Sequence, residues 1–257
     1  METIKIQNGF FGYSNKKEKN IVLQNVNLTL EKGKLIALIG ENGAGKSTFL
    51  KSISGIIPPL DGTIEINNIA LNKISAQELA QKMSLVLTDA LPPSQLTVYE
   101  LVALGRQPYT NWLGKLTAED KEIINNALTA TGAIDYKNKK HAEVSDGQLQ
   151  KALISRALAQ DTSIIILDEP STHLDLINKV QLIKLLKKLA LTTQKTILFS
   201  THDVDLAIQM SDEMLVVLEQ KIIQNTPCKL IENGVFEQLF KNENIIFDAV
   251  LGKFKVV

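Results

Sequence analysis

Apolar positions along this chain change period several times. Val26, Leu28 and Leu30 alternate with Asn25, Asn27 and Thr29, the period of a half-buried strand. After a turn at Glu31–Lys34, Leu35–Ile39 is continuously apolar, as expected of a strand covered on both faces. It ends at Gly40, and helical spacing runs from Lys46 towards a stop near Gly55. Ile164–Leu167 and Thr196–Ser200 repeat the buried-strand pattern, and Met83–Leu87 is a shorter version. Ser75 with Glu78 and Thr97 with Glu100 are helix-opening capping boxes, and Thr117 with Asp120 is a weaker relative. Apolar residues on one face predict a helix over Gln148–Ala159, and Val180–Leu189 is amphipathic with Lys179, Lys184, Lys187 and Lys188 for its wet side. Met214–Leu218 and Ile222–Ile223 read as a hairpin, and the tail from Pro227 as a short helix followed by weak strands.

Buried strands separated by helices predict an α/β fold with a largely parallel sheet and an antiparallel portion. Composition narrows the function classes. Lys plus Arg is 28 and Asp plus Glu is 28, so the net charge is zero, which argues against a nucleic-acid-coating role. The single cysteine, Cys228, excludes an internal disulfide and a cysteine-based zinc site, and fits a reducing compartment. The opening METIKIQNGF lacks the apolar core of a signal peptide, and no stretch of about 18 residues is free of charge, so neither export nor direct membrane insertion is expected.

The chemistry gathers in a few short segments. Gly40-Glu41-Asn42-Gly43-Ala44-Gly45-Lys46-Ser47 fits G-x-x-x-x-G-K-[ST], with a buried strand before it and a helix after. Glycines let backbone N–H groups turn inward around phosphate oxygens, and the helix start adds partial positive charge. Lys46 would reach the β and γ phosphates, with Ser47 holding Mg²⁺ and Thr48 completing the cradle. Ile164–Leu167 delivers Asp168 to a strand end, where it would support the ion, and Glu169 beside it would polarise an attacking water as general base.

Other segments resemble the ATP-binding-cassette (ABC) ATPases, and in that family's order. Val144-Ser145-Asp146-Gly147-Gln148 resembles the family's signature motif. Ser171-Thr172-His173-Leu174-Asp175 looks like its D-loop, and Ser200-Thr201-His202-Asp203 like its switch-histidine motif. The resemblance spans nearly the whole chain. It implies a P-loop NTPase fold with a RecA-like parallel core, an N-terminal antiparallel β portion and a helical subdomain over about 90–160, all within one domain, 1–257. It implies that Tyr13 stacks on adenine. Ser145, Gly147 and Gln148 would close on ATP held by a second copy in a head-to-tail dimer that Asp175 helps to join. His202 would contact the γ-phosphate and orient Glu169. A membrane permease is the further implied partner, placing the chain on the cytoplasmic face of the membrane.

Two departures stand out. Val144 and Asp146 replace the usual signature Leu and first Gly, with Asp146 similar to the iron–siderophore, haem and cobalamin branch. The strand ending at Leu87 should lead into a glutamine, but Thr88 and Asp89 follow, and either could take its role or neither. Leu104-Gly105-Arg106-Gln107-Pro108 resembles a stretch of the same importer branch, with Arg106 facing the permease or acting as a surface charge, and Tyr109 and Trp112 as subdomain packing. The leading expectation is an importer's ATPase subunit; the alternative is a cytosolic ABC ATPase without transport. His141 reads as a solvated loop residue in a Lys-rich stretch, His173 as a surface residue, and Cys228 as an unpartnered loop thiol.

Overall fold

The computed structural model describes residues 2–14, 18–87, 94–111, 114–172, 174–239 and 245–256. Two long strands, β1 (Glu2–Ser14) and β2 (Lys19–Glu31), precede the buried strand β3 (Leu35–Gly40) and helix α1 (Lys46–Ile53). Then come β4 (Asp61–Ile66), β5 (Ile69–Ala70), α2 (Ala76–Ala80) and β6 (Met83–Val86). Helices α3 (Val98–Ala103), α4 (Ala118–Thr131) and α5 (Asp146–Ala159) follow. The chain then alternates through β7 (Ile164–Leu167), α6 (Leu176–Thr193), β8 (Thr196–Ser200), α7 (Val204–Met210), β9 (Glu213–Leu218) and β10 (Lys221–Asn225). It closes with α8 (Pro227–Glu232), α9 (Val235–Leu239), β11 (Ile245–Asp248) and β12 (Lys253–Val256).

The strands form a six-stranded sheet in the order β10-β9-β3-β8-β7-β6, parallel except for the β10 edge. An antiparallel sheet ordered β2-β1-β4-β5 accompanies it, and β11 pairs with β12. The α/β class and the antiparallel portion are as expected. Each apolar run of the parallel sheet serves two cores. Ile36 and Leu38 face Phe49, Leu50 and the antiparallel sheet, while Leu35, Ala37 and Ile39 face the helical side. Phe11 meets Phe49 edge-on at a centroid distance of 5.4 Å and pins α1 beneath β1. Burying a side chain of that size contributes roughly 2–3 kcal/mol.

Four differences from the sequence expectations have physical causes. No strand is read before Val26, yet β1 runs over 13 residues. Its alternation is broken where the register shifts between Ile6, Gly9 and Phe11, with Asn8 at φ 50°. Arg106 is buried rather than permease-facing or exposed: its Nε donates to Asp120 Oδ1 at 2.8 Å, its Nη1 to the Ala159 carbonyl at 2.9 Å, and it stacks over Tyr109. His141 is buried, not solvated, with Nε2 hydrogen-bonded to Ser94 Oγ at 2.7 Å. The Thr117–Asp120 box is complete in both directions, and the Thr117 N–H with the Arg106 guanidinium holds the Asp120 carboxyl below its ordinary range.

Candidate functional site

Adjacent parallel strands end side by side, and each end carries one sequence-predicted segment. β3 delivers the glycine-rich loop, β7 delivers Asp168 and Glu169, and β8 delivers the segment leading to His202. Ligands of open α/β sheets bind at such carboxyl ends.

The loop is committed to a strained path. Gly43 has φ 76° and Gly45 φ 107°, and a Cβ on Gly45 would stand 2.4 Å from Val22 Cγ1. Glu41, Asn42 and Gly43 are exposed, while Ala44 closes a tight turn by donating its N–H to the Glu41 carbonyl at 3.2 Å. Gly45 occupies the cap position of α1 without any side chain to bond the helix's first N–H groups. Those donors, at Lys46, Ser47 and Thr48, lie at a helix start, the kind of place that favours an anion. Lys46 is almost fully buried, and its Nζ donates to the Gly40 carbonyl at 2.9 Å and the Glu41 carbonyl at 3.1 Å. Burial pushes its ammonium below the usual lysine range, opposed by the Glu169 and then the Asp168 carboxylates. Such an ammonium gains most from nearby phosphate. Tyr13 is half-exposed, its hydroxyl bonded to Thr48 Oγ1 at 3.1 Å.

Ser200, placed by the sequence only within the switch-histidine motif and assigned no role there, ties the acidic pair in place. Its Oγ donates to Asp168 Oδ1 at 2.6 Å and accepts the Glu169 N–H at 2.8 Å. Glu169 has φ 48°, rare for a residue with a side chain. Its Oε1 accepts from His202 Nε2 at 2.6 Å and its Oε2 from Thr172 Oγ1 at 3.2 Å. Ser47 is exposed at the helix start and Asp168 is buried, and both offer hard oxygen donors suited to Mg²⁺. Among the described residues no three His, Cys, Asp or Glu side chains are grouped to hold a metal.

The signature residues sit elsewhere, at the start of α5. Ser145 caps the helix: its Oγ accepts the Gln148 N–H at 3.4 Å, and Gln148 Oε1 accepts the Ser145 N–H at 3.1 Å. Gly147 has no positive φ, and a Cβ there would find its nearest atom, Asn178 Oδ1, at an ordinary 3.5 Å. The fold of one chain therefore does not require glycine there. The Asp146 carboxylate is exposed, turned to solvent. Asp175, expected at a dimer seam, caps α6 by accepting from the Asn178 N–H at 2.8 Å. Thr88, Asp89, Trp112 and His173 lie outside the described residues.

The cavity of about 780 Å³ at the far end of α1, lined by Ile56, Pro58, Leu71, Ile74, Leu79 and Leu85, is separate from the phosphate loop.

The chain is similar to known proteins over most of its length. The profile of the family described as ABC transporter matches residues 23–172. The petrobactin import ATP-binding protein FpuD of Bacillus anthracis is 35% identical over 91% of this chain and 86% of its own length. The iron(3+)-hydroxamate import ATP-binding protein FhuC of Bacillus subtilis is 34% identical over 94% of this chain and 88% of its own. Among solved structures, a metal-chelate type ABC transporter in an inward-facing conformation superposes with a TM-score of 0.81 at 28% identity, covering 93% of this chain and 89% of that one. The ATP-binding cassette MJ0796, a dimer in a post-hydrolysis state with ADP and Pi, gives 0.74 at 28% identity, covering 87% of this chain and 98% of that one.

Proposed function

The chain belongs to the ABC transporter family of ATPases, and from that premise we propose that it drives import of a chelated metal, of the ferric siderophore, haem or cobalamin type. ATP binding and hydrolysis come with the family. The cargo class is supported by relatives named for petrobactin and iron-hydroxamate import and by the metal-chelate transporter. The observation that carries the site is the convergence of Lys46, Asp168, Glu169 and His202 at three neighbouring strand ends.

In this reading the whole chain, 1–257, works as one ATPase domain, with the helices of about 90–160 as its permease-facing part. Tyr13 stacks on adenine. The N–H groups from Gly40 to Thr48 surround the phosphates, with Lys46 neutralising the β and γ groups. Ser47 and Asp168 hold Mg²⁺, which supplies charge neutralisation on the phosphate oxygens when bound. Glu169 takes the proton of the attacking water, and His202 holds the carboxylate in place from Oε1. Ser145, Gly147 and Gln148 of a second copy cover the nucleotide; the dimeric MJ0796 cassette supports this pairing. Its membrane contact in this reading runs through permease subunits on the cytoplasmic face, as the relatives named as import ATP-binding proteins support; no helix among the described residues is long and apolar enough to cross a membrane.

Steady-state phosphate release tests the site. Glu169→Gln should lower Mg²⁺-dependent hydrolysis by on the order of 10²–10⁴-fold with ATP binding intact. A wild-type rate from that variant overturns the assignment of Glu169. Co-purification with a multi-span membrane protein supports transport, and its absence from membranes of the source cell favours a non-transport ATPase.

A further inference from the structure

Lys179 and Asp203 both occupy positions that local helix chemistry does not explain. Lys179 stands in the first turns of α6, near the partial positive charge of the helix start, where a cation is unfavourable. Asp203 is the cap residue of α7, and an aspartate there ordinarily accepts the helix's free N–H groups. Its side chain makes no such bond. The carboxylate is turned instead towards α6, where Lys179 Nζ donates to Oδ1 at 3.1 Å, and it also accepts Ser171 Oγ at 3.3 Å.

Stability is a weak reason for this arrangement. The two side chains are 26% and 33% exposed, and a pair that wet contributes little, no more than the cap that Asp203 forgoes. What the pair changes is geometry. Asp203 follows His202 directly, and Ser171 lies just beyond Glu169. A ring therefore closes: Glu169 Oε1 to His202 Nε2, along the chain to Asp203, across to Ser171 Oγ, and back along the chain to Glu169. Lys179 fixes the ring to an 18-residue helix. His202 is itself largely solvent-exposed, with its side chain 44% accessible, so packing alone holds it loosely.

We propose that Lys179 is a positioning residue for hydrolysis, holding His202 against Glu169 by way of Asp203 and Ser171. The proposal rests on the reading of Glu169 and His202 as the hydrolytic pair. A carboxylate and an imidazole must keep their separation while water and the γ-phosphate enter, and small misplacements of such groups are costly. Lys179 does not touch the nucleotide in this account; its effect passes wholly through the switch segment.

The test is single-turnover ATP hydrolysis by the full chain, where low rates stay readable, with nucleotide binding and thermal melting followed in parallel. Lys179→Met should slow hydrolysis about tenfold, with ATP affinity and melting temperature unchanged. Lys179→Arg, which keeps the charge, should recover most of the rate. In a His202→Ala background, Lys179→Met should cost nothing further, because the residue it positions is gone. Two results overturn the proposal: a wild-type rate from Lys179→Met, or a loss of the same size with and without His202. Glu169→Gln, measured alongside, keeps the two ideas apart. If it is nearly inactive while Lys179→Met is normal, only the positioning role fails. If it hydrolyses normally, the underlying reading of the pair fails.

Discussion

The phosphate loop and the start of α5 carry the two halves of the proposed ATP site, and they are built on opposite terms. The loop side departs from ordinary local preferences. Gly43, Gly45 and Glu169 hold positive φ, and Lys46 is buried among backbone carbonyls. These features cost stability and are paired with a function inside the chain. The α5 side breaks no local rule. Ser145 and Gln148 form an ordinary capping box, and Gly147 sits where an alanine would fit. In the proposed dimer, its phosphate contact would form only with a second molecule. A site shared between copies can thus be preorganised on one side and indistinguishable from a normal helix start on the other.

Changing the strained side should separate binding from stability. Lys46→Met should abolish measurable ATP binding by titration calorimetry, while the nucleotide-free chain melts at the same temperature or higher, since a desolvated ammonium is removed. A large drop in melting temperature would mean that the lysine serves the fold instead.

Arg106 offers a control outside both halves. Arg106→Met should destabilise the chain by about 3 kcal/mol, because Asp120 stays buried without its partner, and chemical denaturation reads this directly. The same pair sets a pH dependence. The Asp120 carboxyl is lowered in the fold, so its stabilisation is present above the ordinary carboxylate range and fades as pH falls through the lowered value. The midpoint difference between Arg106→Met and the wild type should shrink on acidification.

The smallest effect on nucleotide binding belongs to the relaxed side. Gly147→Ala should raise unfolding free energy by up to about 0.5–1 kcal/mol, from helix propensity, and leave ATP binding to the single chain intact. Hydrolysis should nonetheless fall. Destabilisation on denaturant titration would show that Gly147 serves the fold of one chain, and would erase the contrast.

The strand-end placement of these residues was legible in the sequence because each motif follows a continuous apolar run, and that pattern alone fixes which end of the strand carries it. The bulged β1 was not, since its register shifts blur the two-residue period. Arg106 and His141 were misread for a different reason: a charged or polar residue looks solvated until its distant partners, Asp120 with the Ala159 carbonyl and Ser94, are brought beside it. Ser200 sat within a recognised motif, yet its bonds to Asp168 and Glu169 depend on β8 lying next to β7. Lys179 was assigned to the wet side of α6, and only the fold turns Asp203 towards it.

Light scattering on Glu169→Gln, with and without Mg²⁺ and ATP, tests the shared site most directly. The account predicts that ATP doubles the mass of this variant, and that adding Gly147→Glu keeps it single while each chain still binds ATP. A variant that stays single when loaded with ATP, or one that pairs regardless of Gly147→Glu, would contradict it.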